Sequence, residues 1–450
     1  MASKPQAENT AVGLRRTLTL WDLVLYGVIV IQPTAPMSVF GVLSDRGRGH
    51  VVTTILIAMV AMLFTAISYG RMARAYPSAG SAFTYVGQEL NPAAGYVTGW
   101  SMAMDYMLNP MICIIWCSKA ALNFAPQVPY FVWAIIFFFV FTGLNLRGIR
   151  TSARVNTALA AAMGVVIAIF FVTAARYIFG HPHDGASFFT RPFYDPATFN
   201  MRAVLGGTSI AVLTYIGFDG ISTLSEEAEN PRRNILLATV LTCVVIGVLS
   251  AFQVYAAQLV WPASQPFPDV DTAFVHVAGR VAGAWFFLLM NLTLLVANFG
   301  SGMGAQLGAA RLLFGMGRSN ALPRSFFGVV DPKHRVPRNN VVFVGLVALG
   351  GAFLLSYSLG AEMLNFGALI AFMGVNLAAF LRYYVRSAEK TIGNFLPPLI
   401  GLVVCFVLWV NLSWQAKVAG TVWMLAGIAF GAWKTHGFRR DLVDFEVPSE

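Results

Sequence analysis

Charge is scarce in this chain. Asp, Glu, Lys and Arg make up 11% of its 450 residues, against roughly 25% in a soluble domain. Most of the chain is therefore not built to meet water, and the three or so soluble domains that its length would otherwise suggest are excluded. Cysteine is scarce too. Cys113, Cys117, Cys243 and Cys405 all lie inside apolar runs and read as small buried hydrophobes, not disulfides or metal ligands. The six histidines are scattered; His181 and His183 share a loop, where solvation is the better account. No metal site, phosphate-binding glycine loop or soluble catalytic domain is visible, so an enzyme is not expected and no cofactor is implied. Gly300-Ser301-Gly302 falls inside an apolar helical run rather than at a strand-to-helix turn, which removes the one serine motif that invites a hydrolase reading. A channel lacks support, since no pore-lining motif repeats.

Long apolar runs, by contrast, recur from end to end, at about 20–44, 51–72, 94–122, 128–146, 154–178, 202–228, 235–260, 278–308, 340–358, 362–384, 395–413 and 416–435. Nearly all have the ~18 or more residues that a helix needs to cross a bilayer. The runs are continuous rather than alternating, which excludes a β-barrel. The expected fold class is an all-α polytopic membrane protein with about twelve transmembrane helices. Of the 30 Lys and Arg, only Arg46, Arg48, Lys119, Arg176, Arg191, Arg202, Arg280 and Lys417 fall on one side of that topology. The rest lie with the two termini, which places both termini in the cytoplasm. The net charge of +10 is accounted for by this bias and implies no nucleic acid. The polar N-terminus lacks a small-residue cleavage site before the first run, so no cleavable signal peptide is expected. The implied partners are the lipid bilayer of the cytoplasmic (inner) membrane and a small-molecule substrate, with no obligate protein partner.

Two runs are interrupted. The first contains Gln32-Pro33-Thr34-Ala35-Pro36, in which two prolines remove amide donors and clash with the preceding turn. The sixth contains Tyr215-Ile216-Gly217-Phe218-Asp219-Gly220, two glycines around a carboxylate at mid-membrane depth. A single such break is most simply a packing kink. Two breaks five runs apart, one carrying an Asp, point to an inverted-repeat transporter with its binding site at the breaks.

Beyond these breaks, the chain resembles the amino acid–polyamine–organocation superfamily over nearly its whole length. The resemblance rests on the stretch from Ser68 to Tyr85 with Gly70, Pro77 and Gly80, on Gly99-Trp100 and Asp105-Tyr106, and on Gly217-Phe218-Asp219. It continues through Glu226-Glu227 to Asn230-Pro231, and from Arg311 to Arg318 before Leu322-Pro323. Within the superfamily, the stretches 64–70, 217–227 and 364–372 are most similar to bacterial putrescine importers. The resemblance implies a LeuT-type fold of two inverted five-helix repeats plus two peripheral helices. On that scheme, residues 1–19 form an N-terminal tail, 20–178 the first repeat and 202–384 the second. Residues 395–435 hold spans 11 and 12, and 436–450 form a C-terminal tail. Substrate would bind between spans 1, 3, 6, 8 and 10.

The chain departs from the family where amino-acid carriers have a glycine-rich break in span 1, whose amides cradle a carboxylate. Here there is no glycine, and two of five residues have no amide hydrogen. That favours a substrate without a carboxylate, or one held by Gln32 and Thr34. A cationic amine needs anions, and Asp105 and Asp219 are the deepest carboxylates; intramembrane charges are costly and tend to be functional. Asp219 also suits a capping role. Tyr215, Gly217 and Phe218 complete the candidate substrate site, the two aromatics as cation–π partners. For the coupling ion, H+ or Na+, the lysine that many proton-coupled relatives carry in span 5 is replaced by Met163. Asp105 or Asp219 is then a candidate proton carrier, because desolvation favours the neutral form. A sodium site would use carbonyls of the span 1 break with Asn298 and Ser301. Arg71 and Arg74 with Glu226 and Glu227 are candidates for a cytoplasmic gate, or simply an interfacial ion-pair cluster. The expected function is import of polyamines such as putrescine, or of amino acids, by ion-coupled alternating access. An amino-acid permease or exchanger with a divergent carboxylate site is the alternative, followed by a transporter-like sensor.

Overall fold

A bilayer core offers no water to satisfy backbone groups, so each apolar run must close its own hydrogen bonds as a helix. The computed structural model describes residues 18–76, 81–148, 153–182, 185, 187–224, 227–318, 322–435 and 437, with the side chains of 153–156 and Thr223 excepted. Among them there is no strand beyond a backbone bridge between Leu18 and Ala228. Nine helices are long and apolar enough to cross a membrane, and the pair Leu20–Ile31 and Ala35–Arg46, bent by 48°, makes a tenth. Two 17-residue apolar helices, Tyr130–Leu146 and Arg338–Leu354, reach ~25 Å at 1.5 Å per residue and complete twelve among the described residues.

In order, span 1 has halves 1a (Leu20–Ile31) and 1b (Ala35–Arg46); span 2 is Val51–Ala75, span 3 Pro92–Phe124, span 4 Tyr130–Leu146 and span 5 Ala153–Gly180. Span 6 starts as Met201–Ala211 and continues through short 3-10 turns to Leu224. Spans 7 to 12 are Pro231–Val260, Ala284–Arg318, Arg338–Leu354, Tyr357–Phe380, Ile392–Val410 and Trp414–Lys434. One expected boundary is corrected. The run at 278–308 is two elements: a short helix Ala273–Ala282, a turn at Gly283, and then span 8 from Ala284 to Arg318. Hydropathy is continuous across that turn and falls off before the helix ends, so the apolar pattern hides both limits.

Polar side chains close the exposed amides where helices begin. Thr19 and Asp22 form a reciprocal capping box on span 1a, and Asn91, Asn200, Ser356, Thr391 and Ser413 cap spans 3, 6, 10, 11 and 12. Spans 3, 6 and 10 are the most enclosed, with 72%, 67% and 67% of their most apolar windows buried, against 22% and 28% for spans 11 and 12. The centre of the molecule is therefore where spans 3, 6 and 10 meet, and the last two spans are peripheral. Twelve crossings put the start of span 1 and the end of span 12 on one face, the terminal face.

Candidate functional site

Span 1 breaks where its prolines dictate. Helix 1a ends at Gln32, whose φ of 72° leaves the helical region, and 1b starts with Pro36 in its first turn. The break is pinned by side-chain amides from two neighbours. Gln32 Nε2 donates to the Ala297 carbonyl of span 8 at 2.7 Å, and Gln253 Nε2 of span 7 donates to the Pro33 carbonyl at 2.9 Å. Thr34 is fully buried, with its hydroxyl against Met163 Sδ of span 5 at 3.9 Å. The break has few amides to spare. Ala35 N–H donates to Gln32 O and Met37 N–H to Thr34 O, while Pro33 and Pro36 have none. Thr34 is left as its one unbonded amide.

Span 6 breaks at Gly217, whose φ of 117° is closed to other residues and whose Cβ would stand 3.1 Å from Val30 of helix 1a. The two breaks thus lie against each other. Beyond Gly217 the chain tightens into a 3-10 turn carrying Phe218 and Asp219. The Asp219 carboxylate lies near the backbone amides of its own turn, at Asp219, Gly217 and Gly220, and the Gly220 amide donates to the Gly217 carbonyl at 3.1 Å. Asp105 comes from the centre of span 3. Span 10 reaches it through Gly367, where a Cβ would stand 2.4 Å from the Ser101 carbonyl and 3.3 Å from the Asp105 amide.

Asp105 and Asp219 are each only 7% exposed and lie within electrostatic reach of each other. Neither is in an ion pair among the described residues; the carboxylates that are paired are Glu89, Asp269, Asp271, Asp331 and Glu362. The ionisable side chains that sense Asp219 are Asp105, Cys243 and four tyrosines, Tyr26, Tyr69, Tyr85 and Tyr106. Tyr69 is fully buried and packs edge-on against Phe218, Tyr85 and Phe372 at 5.5, 6.1 and 5.9 Å. The result is an enclosed cluster of two carboxylates, phenols and aromatic rings.

Other candidates stand elsewhere. Tyr215 is buried but its hydroxyl donates to the Ile55 carbonyl of span 2 at 2.9 Å, a scaffold contact. Asn298 Nδ2 donates to Ser38 Oγ of helix 1b and to the Leu294 carbonyl, both at 2.9 Å. Ser301 faces Cys113 of span 3. The structure therefore does not gather Asp105, Asn298 and Ser301 into one ligand set. Arg71 donates to the Gly393 carbonyl and Asn394 Oδ1, not to Glu227, and Arg74 is in no ion pair among the described residues; Glu226 lies outside them. The buried acid on the terminal face is instead Glu89, 3% exposed, held by Tyr76, Arg382 and Arg386 at 2.7, 2.6 and 2.8 Å. Sequence reasoning passed over Glu89, Tyr69 and Tyr85. Both tyrosines lie in the 68–85 stretch, but nothing in its pattern tells where their hydroxyls point.

The chamber is closed on both faces. At the terminal face, Leu18 exchanges backbone hydrogen bonds with Glu227 O and Glu229 N at 3.1 and 2.8 Å, tying the start of span 1 to the chain after span 6. At the opposite face, the segment 262–272 folds inward as a lid, and Phe40 of helix 1b meets Phe267 and Phe274 edge-on at 5.7 and 5.6 Å. Lys119 of span 3 latches the lid through Asp269 and Asp271 at 3.1 and 3.8 Å. Outside the lid is a vestibule of about 680 Å³ lined by Asp45, Arg48, Gln258 and Phe267; it includes neither Asp105 nor Asp219.

Comparison with known proteins follows the same lines. The amino acid permease family profile matches residues 36–438. The chain is 34% identical to the low-affinity putrescine importer PlaP of Escherichia coli (strain K12), over 99% of both chains. It is 24% identical to the branched-chain amino acid permease BcaP of Bacillus subtilis (strain 168), over 92% of both. It is also 24% identical to the methylthioribose transporter of the same organism, over 93% of this chain and 92% of that one.

Proposed function

The chain belongs to the amino acid permease family, within the amino acid–polyamine–organocation superfamily, and from that premise we propose that it imports small cationic amines such as putrescine. It is a multi-pass membrane transporter of amines or amino acids, not an enzyme. The observation that carries the amine reading is the pair Asp105 and Asp219, two enclosed carboxylates with no ion-pair partner among the described residues. Buried anions of this kind call for a cation, and a diammonium substrate supplies it. A substrate carboxylate is poorly served. Among the described residues the span 1 break retains one unbonded amide, and in the span 6 break the Phe218 and Gly220 amides already donate to the Tyr215 and Gly217 carbonyls. The first-named relative is a putrescine importer.

Transport proceeds by alternating access. The lid with its Lys119 latch opens to the outside, and the Leu18 pairing at the terminal face opens to the cytoplasm, with both termini cytoplasmic in the inner membrane by the positive-inside bias. The span 1 and span 6 breaks are the hinge around the amine. For coupling, protons are favoured over sodium. Amide donors Gln32 Nε2 and Asn298 Nδ2 occupy the space between span 1 and span 8, where a sodium ion would need acceptors. Met163 stands against Thr34, so a span 5 lysine takes no part, and Asp105 or Asp219 carries the proton.

Uptake into proteoliposomes tests this reading, with labelled putrescine and a panel of amino acids under separate proton and sodium gradients. Proton-driven putrescine accumulation is expected. Accumulation of an amino acid without putrescine would overturn the substrate class in favour of a carboxylate held at the proline-rich break. Dependence on sodium alone would overturn the coupling assignment.

A further inference from the structure

The Tyr69 hydroxyl is a polar group of the chamber whose position the packing of its ring does not explain. Its ring packs edge-on against Tyr85, Phe218 and Phe372, and a phenylalanine would fill that place equally well. The hydroxyl is fully buried and has no hydrogen-bond partner among the described residues. An unmade hydrogen bond in a buried site is unfavourable unless something else makes it. The groups it senses are Asp219, Asp105, Tyr106 and Tyr85. The contrast with Tyr215 is direct: equally buried, its hydroxyl is satisfied by the Ile55 carbonyl.

We propose that Tyr69 is a specificity-determining residue that completes an ammonium socket with Asp105 and Asp219. This rests on the amine reading above. A primary ammonium presents three N–H donors. The two carboxylates accept two of them, and the Tyr69 phenol oxygen accepts the third while its O–H donates to Asp219. No bond is made or broken covalently. The socket selects for the number of N–H donors rather than for charge alone: a tertiary ammonium has the same charge but one donor, so it leaves the phenol oxygen without an N–H to accept and places methyl groups against polar oxygens. Primary amines are thereby preferred over their N-alkylated counterparts.

The test compares Tyr69→Phe with the wild type in proteoliposomes, using putrescine and N,N,N′,N′-tetramethylputrescine as competing substrates. The substitution is expected to lower kcat/KM for putrescine about tenfold and to leave the methylated diamine unchanged, so the preference ratio falls by the same factor. In detergent, without amine, the variant should melt at the same temperature as wild type or higher, because the unbonded hydroxyl is gone; the stabilisation by added putrescine should shrink. A ratio that does not move, or an equal loss for both diamines, would overturn the socket and leave Tyr69 a packing residue. If the wild type carries neither diamine, the amine reading itself falls, and the socket with it.

Discussion

At the residue scale, burial alone does not make a site; what decides is whether each polar group is already satisfied. Asp105 and Asp219 are buried and in no ion pair among the described residues, while Tyr215, Gln32 and Asn298 are committed to Ile55, Ala297 and Ser38. Replacing Tyr215 with Phe should therefore cost about 0.5–1.5 kcal/mol of stability and leave KM unchanged; a raised KM with unaltered melting would return Tyr215 to the substrate. Gly217→Ala is expected to lose folded protein in the membrane, because a φ of 117° strains any side-chain-bearing residue and Val30 at 3.1 Å would have to give way; fluorescence-detected size exclusion reads this directly. The carboxylates and the glycine were legible in the sequence because a charge or a helix breaker within an apolar run is conspicuous. Tyr69 was not, since an aromatic residue in such a run looks like core until its hydroxyl is seen without a partner.

At the element scale, both breaks were visible as proline and glycine chemistry, but their bracing was not. Gln253 and Gln32 are distant in sequence from the carbonyls they hold. The Gln32 bond to Ala297 joins the hinge of span 1 to span 8, so Gln32→Ala should change kcat severalfold with little effect on putrescine affinity, as measured by uptake and by equilibrium binding. The lid was also hidden, its helix merged with span 8 in the hydropathy. Its latch is pH-sensitive. Burial, and then Asp269 beside it, push the Asp271 carboxyl up to about 6 against the opposing pull of Lys119, whereas an ordinary Asp ionises near ~3.9. Tyr130 and Tyr357 also face Asp271, and His276 faces Asp269. The sign follows: the closed lid, where burial holds Asp271 at about 6, binds the proton more tightly than an open lid, where the carboxyl returns to the ordinary range, so closure is favoured as pH falls below about 6 and weakened as pH rises through it. A cysteine at Ser44, its labelling rate divided by that of one at exposed Ser264, should become less reactive below that pH. Asp271→Asn should abolish the step; a step that persists would place its origin elsewhere.

At the scale of the whole molecule, the twelve helices were legible because a bilayer permits little else for apolar runs of this length. Which spans surround the site was implied only through family resemblance, and the enclosure of spans 3, 6 and 10 accords with it. The anchoring of the terminal face was missed. Glu89 sits in a short amphipathic helix, Ser81–Glu89, and its arginines lie nearly three hundred residues away. Glu89→Gln should destabilise the protein toward the low end of the ~3–5 kcal/mol expected for a broken buried pair, because Arg382 and Arg386 are partly exposed; thermal melting in detergent reads it. A single cysteine in the 331–338 loop should label only from the cytoplasm, and outward labelling would invert the topology. The central claim, that a cationic amine is held by Asp105 and Asp219, is tested most directly by equilibrium binding of labelled putrescine to the purified protein. Wild type should bind it, and Asp105→Asn and Asp219→Asn should each weaken binding by about 10- to 150-fold while remaining folded. Unchanged putrescine affinity in both folded variants would contradict the account.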